Sequence, residues 1–441
     1  MKETIIQFGT GNFLRGFVDY FVDVLNEKNL YNGKIVVVKP TNRGNLNSFT
    51  EQDCVYNLYL RGIENGSEVC EKREIHSINR VVDPYHNYES YLELAHNPDI
   101  RFIISNTTEA GIEFDDSCSF MDAPALSFPG KLTQLMYERF KAGLSGFVLL
   151  PCELIDNNGA SLKECVLKYA GLWKLGEEFE AWVENENKFC NTLVDRIVTG
   201  YPAAEAEELV KEIGYDDKLL DTAELFHLWV IEGDFENELP LVKAGFNVIW
   251  TDDVKPYKKM KVSVLNGAHT SMVFPALLSG IETVRDCLLD EQINTFLYTN
   301  LNKYILPVLG ETDETKSFAD SVIERFKNPY IHHMLTSIAL NSVSKFGVRV
   351  LPTLLEYKAT YGETPKTLAL SLAALITYYK KNDISDSEYA VDFIKNNDIS
   401  EILKNETLWG CDLTDISEVT TEAFDKINKC GIREAIAWSL S

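Results

Sequence analysis

No stretch of this 441-residue chain approaches the roughly eighteen consecutive apolar residues of a membrane-spanning helix. The first residues, MKETIIQFG, contain no signal-peptide core and lead at once into a strand-like run. The nine cysteines are scattered without a C-x-x-C pair, which argues against a zinc cage and against a disulfide framework. These absences predict a cytoplasmic protein with reduced thiols, no membrane segment and no bound metal.

Positive charge is also scarce. The chain has 42 Lys and Arg against 67 Asp and Glu, and its formal net charge of −25 repels nucleic acid and anionic lipid. An acidic small substrate would be repelled as well, so such a substrate requires a local group of cations. We therefore expect a small-molecule substrate and no nucleic-acid or membrane partner, while the oligomeric state stays open.

Length and hydrophobic pattern predict two domains. A chain of 441 residues with 45% hydrophobic and 25% charged residues is globular and too long for one ordinary core. In its first half, strand candidates at 4–8, 35–38, 101–105 and 146–150 alternate with helical segments, which predicts a parallel sheet with right-handed crossovers.

Helical patterns dominate beyond about residue 255, notably over 286–304, 315–326 and 364–380. The predicted fold class is therefore α/β, with an N-terminal Rossmann-like domain over 1–252 and a mainly α-helical C-terminal domain over 253–441. A cleft between two such domains is the expected place for a small-molecule site.

The segment TIIQFGTGNFLRGF, residues 4–17, places two glycines between a strand and the first turn of a helix. Gly9 and Gly11 occupy the first two positions of a G-x-G-x-x-G dinucleotide fingerprint, but Leu14 stands at the third. In this setting, backbone N–H groups and the helix dipole face a pyrophosphate. A purely structural strand–helix turn is the alternative.

The second strand lacks the acid that usually binds the adenosine ribose about 20 residues after the glycines. That strand ends in KPT, so Lys39 stands near the expected position. A lysine there either meets a 2′-phosphate or covers the adenine. The strand therefore does not decide between NAD and NADP.

A second informative segment is KKMKVSVLNGAHTSMV, in which Lys261, Asn266 and His269 are spaced i, i+5, i+8. On an ideal α-helix they fall at about 0°, 140° and 80°, so one face presents all three. Such a lysine acts as an acid–base, while the amide and the imidazole orient the reacting oxygens. The alternative is a surface lysine, an Asn-Gly helix end and a buried structural histidine.

Together, GTGNFLRG and KxxxxNxxH resemble the polyol-specific long-chain dehydrogenase family, which includes mannitol 2-dehydrogenase and the hexuronate reductases. Further matching segments are SNTTEAG at 105–111, VDRI at 194–197, RFKNP at 325–329 and SKFGVRVLPT at 344–353. The turn of that family reads G-x-G-x-F-x-R-G/A. This sequence satisfies it with Gly9, Gly11, Phe13, Arg15 and Gly16.

The resemblance implies a metal-independent oxidoreductase that uses NAD. It assigns Lys261 as the catalytic acid–base, Asn266 as the donor on the oxyanion side and His269 as the partner of a substrate hydroxyl. It also implies cofactor-binding residues on the turn and at neighbouring strand ends, namely Phe8, Gly9, Thr10, Gly11, Asn12, Phe13, Arg15, Gly16, Lys39 and Thr107.

Five segments (IIQFGTGNFLRGF, ISNTTEAGI, PCELIDNNG, HLWVIEG and LNGAHT) look most like the family members that act on tagaturonate. The expected reaction is thus the interconversion of D-tagaturonate and D-altronate in hexuronate catabolism. Asp195 and Lys345 match positions that contact the polyol in the mannitol enzymes. Leu154 replaces the second oxyanion asparagine of those enzymes, so either Asn158 or another donor takes that role.

A uronate substrate adds a carboxylate that needs a cation. Arg349, Lys345 and Lys259 are the candidates because they lie close to the matching segments. Fructuronate reductase and mannitol 2-dehydrogenase are alternatives with the same chemistry. A keto-uronate epimerase with tightly held cofactor and a nicotinamide-sensing binding protein are alternatives from other classes.

Overall fold

The structure, a computed structural model, describes residues 1–108 and 110–441. Glu109, which belongs to the SNTTEAG segment, lies outside the described residues. The chain divides into two compact units, one of residues 1–61 and 68–254 and the other of residues 62–67 and 255–441. The main division thus falls after residue 254 instead of 252, and the short segment 62–67, which the sequence did not single out, belongs with the second unit.

The first unit contains a six-stranded sheet in the order β5-β2-β1-β6-β7-β8, and all its neighbouring strands are parallel. This order, which reverses beside β1, is that of the doubly wound Rossmann fold. The predicted fold class is therefore confirmed. The strands of the chain are β1 Lys2–Phe8, β2 Gly33–Val38, β3 Tyr56–Glu64, β4 Ser67–Ile75, β5 Ile78–Val82, β6 Phe102–Ser105, β7 Val148–Pro151, β8 Lys188–Phe189, β9 Thr192–Asp195, β10 Asp221–Glu224, β11 Leu228–Glu232 and β12 Val248–Thr251.

The central strands are apolar on both faces. In β2, Ile35 and Val37 pack into the core on one side of the sheet, while Val36 and Val38 pack into the core on the other. Each such side chain contributes about 1.5–3 kcal/mol when fully buried. Helices must cover both faces for this burial to occur, which is the arrangement of a parallel sheet.

Two smaller sheets, β10-β3-β4 and β12-β11-β9, extend the first unit. The β3–β4 hairpin was not predicted from the sequence. Its turn is Asn65-Gly66, with φ angles of 52° and 77°. Asn-Gly between two strand-like runs is the usual signal of a type I′ hairpin turn and would have revealed it.

The fourfold spacing of Phe13, Phe17, Phe21 and Leu25 predicts an apolar stripe along one helix after β1, and this prediction is confirmed. Phe17, Phe21 and Leu25 are fully buried, and the rings of Phe17 and Phe21 lie 4.6 Å apart. The helix that carries them includes a π-helical segment, Arg15–Asp19, between α1 and α2. The α-helices of the first unit are α1 Asn12–Leu14, α2 Tyr20–Glu27, α3 Asn47–Glu51, α4 Tyr88–Leu92, α5 Phe128–Lys141, α6 Asn158–Leu172, α7 Glu177–Glu186 and α8 Ala206–Ile213.

The second unit is helical, as predicted, apart from its short segment 62–67. Its α-helices are α9 Lys255–Lys261, α10 Ala268–Leu278, α11 Val284–Leu289, α12 Glu291–Thr299, α13 Leu306–Leu309, α14 Asp313–Phe326, α15 Leu335–Ile338, α16 Ser342–Arg349, α17 Leu351–Tyr361, α18 Lys366–Lys381, α19 Glu388–Asn396, α20 Ile399–Lys404, α21 Glu406–Trp409, α22 Ser417–Cys430 and α23 Ile432–Ser439. Within the described ranges, no helix has both the length and the apolar character needed to span a membrane.

Two predicted helices differ in detail. The pattern over 286–304 is divided, because the Asp290 side chain accepts from the Ile293 N–H and starts a new helix, α12. A π-helical segment, Asn300–Ile305, follows it. In α18, Pro365 is the N-cap residue and Lys366 the first helical one, so the helix begins two residues after the start of the predicted span 364–380.

Candidate cofactor and substrate sites

The glycine turn after β1 has the backbone that close contact with a ligand requires. Gly9 has a φ of +137°, and a Cβ atom there would lie 2.9 Å from the Asn106 carbonyl oxygen, so only glycine fits. Gly11 is exposed at the N-cap of α1, and a Cβ atom there would meet no described atom within 4 Å. The turn is therefore closed toward the protein and open toward solvent.

Gly16 takes the place of the third small residue. A Cβ atom at Gly16 would lie 2.9 Å from Val198 Cγ1 and 3.5 Å from Ala223 Cβ. The close approach is thus to β10 and to the segment after β9. Leu14 is itself buried beside Gly9, which explains why the usual third position tolerates leucine.

Arg15 lies beneath the glycine turn and is only 7% exposed. Its guanidinium donates to the Thr10 carbonyl oxygen at 3.0 Å and to Asn12 Oδ1 at 2.7 Å. Its Nε lies 3.8 Å from Asp221 Oδ2. These contacts direct Arg15 into the protein, so it shapes the turn from below, which differs from the cofactor contact that the resemblance implies.

Two buried acids accompany Arg15. Burial raises the pKa of Asp19 to about 8 and that of Asp221 to about 7. The Tyr56 hydroxyl donates to the Arg15 carbonyl oxygen at 2.8 Å and lies 3.4 Å from Asp19 Oδ2. The sequence did not reveal this cluster because Tyr56 and Asp221 are far from Arg15 and Asp19 along the chain.

The raised pKa of Asp19 gives a pH prediction. The folded state holds this proton more tightly than the unfolded chain does. The contribution of Asp19 to the free energy of unfolding is therefore largest below about pH 4 and is lost as pH rises toward about 8. Asp19→Asn should therefore show a smaller fall in unfolding free energy between pH 5 and pH 8.5. Urea titrations at the two pH values measure this, and an unchanged fall would contradict it.

The side chains of several predicted cofactor-binding residues contact other residues of the protein. The Phe8 ring is fully buried, with its centroid 4.9 Å from that of Phe128, so only its backbone borders the turn. The Phe13 ring stacks on Phe17 at 5.0 Å. Lys39 Nζ forms an ion pair with Asp83 Oδ2 at 2.9 Å.

Glu153 connects the carboxyl ends of β6 and β7. Its Oε1 accepts from both the N–H and the hydroxyl of Thr107, at 3.0 and 2.9 Å, and its Oε2 accepts from the Ser105 hydroxyl at 3.0 Å. Burial raises its pKa. Thr107 is thus fixed by a residue of the PCEL segment that the sequence analysis passed over.

Lys261, Asn266 and His269 lie on a helix that is interrupted. α9 ends at Lys261, a π-helical segment covers Val262–Gly267, and α10 begins at Ala268. In a π-helical segment, hydrogen bonds join residues i and i+5, so Asn266 lies close to one full turn after Lys261. On an ideal α-helix, the Asn266 side chain would instead point about 140° away from that of Lys261. The structure thus brings the lysine and the asparagine nearer to one face than the predicted helix does.

His269 is buried, and its Nε2 has no hydrogen-bond partner among the described residues. Its ring centroid lies 4.8 Å from that of His333 and 5.5 Å from that of Phe326. Burial lowers its pKa well below the usual value, and nearby positive charge adds to this effect. The cations that contribute are Arg349, Lys345 and Arg325, and His333, whose own pKa burial lowers, acts in the same direction. We call these four residues and His269 the His269 cluster.

Gly267 allows one of these cations to approach. A Cβ atom at Gly267 would lie 2.8 Å from the carbonyl oxygen of Arg349, so glycine lets the end of α16 rest against the π-helical segment. Burial lowers the pKa of Arg349, and no carboxylate of residues 1–108 or 110–441 pairs with it. Lys345 Nζ donates to the Ile338 carbonyl oxygen at 3.1 Å.

Lys259 is different from the other predicted cations. Its Nζ lies 3.2 Å from Glu356 Oε2, and its side chain is 55% exposed. The structure therefore gives Lys259 a surface ion pair, and it does not appear among the charges that affect His269. Arg349 and Lys345 are the two predicted carboxylate partners that belong to the cluster.

Asn158 was predicted as a possible oxyanion donor. The structure corrects this prediction, because its amide forms hydrogen bonds within the protein. Its amide nitrogen donates to the carbonyl oxygens of Pro151, Glu153 and Thr192, and its oxygen accepts from the Thr192 N–H at 2.8 Å. At 1% exposure, it has no donor left for a ligand. These contacts join β7, α6 and β9.

The VDRI segment begins within β9. Asp195 ends that strand and is buried, 7% exposed. The next residue, Arg196, donates to the Gly16 carbonyl oxygen at 2.9 Å and to the Glu224 carbonyl oxygen at 2.9 Å. Part of this segment therefore supports the glycine turn.

Comparisons with known families match almost the whole chain. Residues 3–243 match the mannitol dehydrogenase Rossmann domain, and residues 253–430 match the mannitol dehydrogenase C-terminal domain. The chain belongs to the mannitol dehydrogenase family. As a member of this family of oxidoreductases, it carries a dinucleotide-binding Rossmann domain, followed by the family's helical domain.

Within the mannitol dehydrogenase family, the chain is similar to altronate oxidoreductases. It is 46% identical over 444 residues to that of Pectobacterium carotovorum, covering 99% of this chain and 90% of the relative. It is 43% identical over 454 residues to that of Bacillus subtilis, covering 98% and 94%.

Two solved structures of polyol dehydrogenases share the fold of this chain. A substrate-free D-sorbitol dehydrogenase aligns with a TM-score of 0.87 at 25% identity over 99% of this chain and 95% of the other. Mannitol 2-dehydrogenase of Pseudomonas fluorescens, in a ternary complex with NAD and D-mannitol, aligns with a TM-score of 0.73 at 23% identity over 100% and 94%.

Proposed function

We propose that this chain is an NAD-dependent altronate oxidoreductase that interconverts D-tagaturonate and D-altronate. Similarity to altronate oxidoreductases over nearly full length supports the activity. Among the residues of the structure, the His269 cluster is the observation that best supports this activity. It gathers cations in a chain whose net charge is −25, and such a gathering suits an anionic substrate.

The glycine turn suits the pyrophosphate of NAD. Gly11 leaves space where a Cβ atom would otherwise project. Gly9 has a positive φ angle that residues other than glycine rarely adopt. The turn also opens the helix that runs to Glu27, whose N-terminal N–H groups favour an anion. We assign cofactor binding to the backbone of residues 9–11, with Arg15 supporting the turn from beneath.

Replacing Gly11 with valine tests this assignment. The valine side chain enters free space in the protein, so the melting temperature should stay unchanged while the Kd for NADH rises at least about tenfold. Gly16→Val is the contrast, because its Cβ atom would meet Val198 at 2.9 Å and should lower the melting temperature. NADH fluorescence titration with thermal unfolding measures both, and wild-type NADH affinity in Gly11→Val would refute the assignment.

When bound at the glycine turn, NADH would supply a hydride to the carbonyl carbon of the keto-uronate. Lys261 protonates the resulting alkoxide oxygen, and Asn266 donates a hydrogen bond to the same oxygen. His269 is neutral because burial and neighbouring cations lower its pKa. Its unpartnered Nε2 therefore either donates to a substrate hydroxyl or accepts from it, depending on which ring nitrogen carries the proton. In the reverse direction, Lys261 removes the hydroxyl proton.

The carboxylate end of the substrate is assigned to Arg349 and Lys345. Burying a guanidinium without a carboxylate partner is costly, and a bound carboxylate would relieve that cost. An uncharged ketose cannot do so. The proposed site therefore distinguishes a keto-uronate from a neutral hexulose by charge.

The proposed function is tested by incubating the protein with D-tagaturonate and NADH and identifying the product. We expect one altronate for each NADH oxidised, and weaker turnover of fructuronate. An altered sugar acid without net NADH consumption would indicate an epimerase. NADH binding without any turnover would indicate a sensing protein.

Activity should not depend on a divalent metal. Among the described residues, no group of three or more His, Cys, Asp or Glu side chains is arranged to hold a metal ion. Lys261 instead supplies the proton that neutralises the alkoxide. Full activity is expected after dialysis against EDTA, and a loss that zinc or another divalent ion restores would overturn this mechanism.

A further inference from the structure

Lys39 and Asp83 form a pair at the carboxyl end of the parallel sheet. Lys39 directly follows β2 and Asp83 directly follows β5, the strand beside β2. The Lys39 Nζ lies 2.9 Å from Asp83 Oδ2, and the Lys39 N–H donates to the Val82 carbonyl oxygen at 3.0 Å. An acid is thus present at the position where the second strand lacks one, but it comes from the next strand of the sheet.

The carboxylate is the more accessible member of the pair. The side chain of Asp83 is 24% exposed, whereas that of Lys39 is 8% exposed. Asp83 Oδ1 also accepts from the Tyr85 N–H at 3.0 Å. The pair therefore exposes carboxylate oxygens of Asp83 that can accept hydrogen bonds, while the ammonium group of Lys39 stays bound to Asp83.

The surroundings hold these strand ends in place. The Tyr85 hydroxyl donates to the Pro40 carbonyl oxygen at 3.3 Å and accepts from Lys131 Nζ at 2.9 Å. Lys131 is itself fully buried and donates to two further carbonyl oxygens. Asp83 is therefore fixed relative to Lys39.

We propose that Asp83 selects NAD over NADP by accepting from the adenosine ribose 2′-hydroxyl and by engaging Lys39. This inference rests on the proposed cofactor site at the glycine turn. In a doubly wound sheet of this order, the adenosine ribose lies near the carboxyl end of the second strand, which is where the pair stands. A 2′-phosphate would face the exposed carboxylate, while the ammonium group of Lys39 is already paired with Asp83.

The test compares kcat/KM for NADH and NADPH in the wild type and in Asp83→Ala. We expect the wild type to prefer NADH by at least about 10²-fold, and Asp83→Ala to reduce that preference by at least about tenfold. The gain with NADPH depends on the released Lys39. It should therefore disappear in the double variant Asp83→Ala/Lys39→Ala.

A matched control removes an ion pair elsewhere in the same unit. Asp99→Ala breaks the pair between Lys2 and Asp99, whose closest atoms are 2.7 Å apart, and should leave the preference unchanged. Asp83→Asn keeps the shape of the side chain, so it replaces Asp83→Ala if thermal unfolding shows that the alanine variant is damaged. It should also lower the preference.

The possible outcomes separate this inference from the proposed function. If the wild type binds neither dinucleotide, the proposed cofactor site is wrong and this inference falls with it. If the wild type uses NADH well but prefers NADPH, or if Asp83→Ala and Asp83→Asn keep the wild-type ratio within about twofold, only the role of Asp83 is wrong.

Discussion

Replacing Lys261 with alanine is expected to lower kcat by about 10²–10⁴ while leaving the Kd for NADH nearly unchanged. The lysine is assigned to proton transfer in the transition state, so its loss removes an interaction that the ground-state complex does not use. Lys261 lies at the junction of α9 and the π-helical segment that contains Asn266. Stopped-flow hydride transfer and NADH fluorescence titration measure the two quantities.

Lys259→Ala provides the matched control, since it removes the same charge from the same helix. Lys259 is half exposed and paired with Glu356, so its alanine variant should keep kcat within about twofold of the wild type. A kcat near the wild-type value in Lys261→Ala would show that the acid–base assignment is wrong. An equal loss in both variants would indicate a general electrostatic effect instead of proton transfer.

Replacing Arg349 with alanine should remove most of the preference for a uronate. A charge-assisted contact to a carboxylate contributes about 3 kcal/mol, so kcat/KM for tagaturonate should fall about 10²-fold. The value for fructose should change little, because fructose has no carboxylate. The measurement is kcat/KM for both substrates in Arg349→Ala and Arg349→Lys.

The lysine variant retains the charge without the two-pronged guanidinium, so it should recover part of the activity on tagaturonate. Lys259→Ala again serves as the control and should leave the ratio between the two substrates unchanged. Equal losses on tagaturonate and fructose in Arg349→Ala would give the Arg349 side chain a structural role instead of a role in carboxylate recognition.

The sequence predicted the parts of the fold that depend on local pattern. The alternation of apolar strands with helices predicted the parallel sheet, and the stripe at Phe17 and Phe21 predicted the helix after β1. The same reasoning missed the buried contact of Arg15 with Asp221, because hydrogen bonds between distant segments leave no periodic signal.

The candidate site was predictable in its residue types and less so in its geometry. The spacing of Lys261, Asn266 and His269 pointed to one helix face, but spacing cannot reveal the π-helical segment that rotates Asn266. Proximity along the chain also gave Lys259 and Arg349 equal standing as carboxylate partners. The structure separates them, because only Arg349 lies near His269 and lacks a carboxylate among the described residues.

The central claim, that this member of the family acts on a keto-uronate, is tested most directly by comparing D-tagaturonate with D-fructose. Steady-state oxidation of NADH by the wild-type protein gives kcat/KM for each substrate at the same pH and salt concentration. The cations around His269 predict that tagaturonate is preferred by at least about 10²-fold. Equal values would contradict the hexuronate assignment and would leave only membership of the mannitol dehydrogenase family.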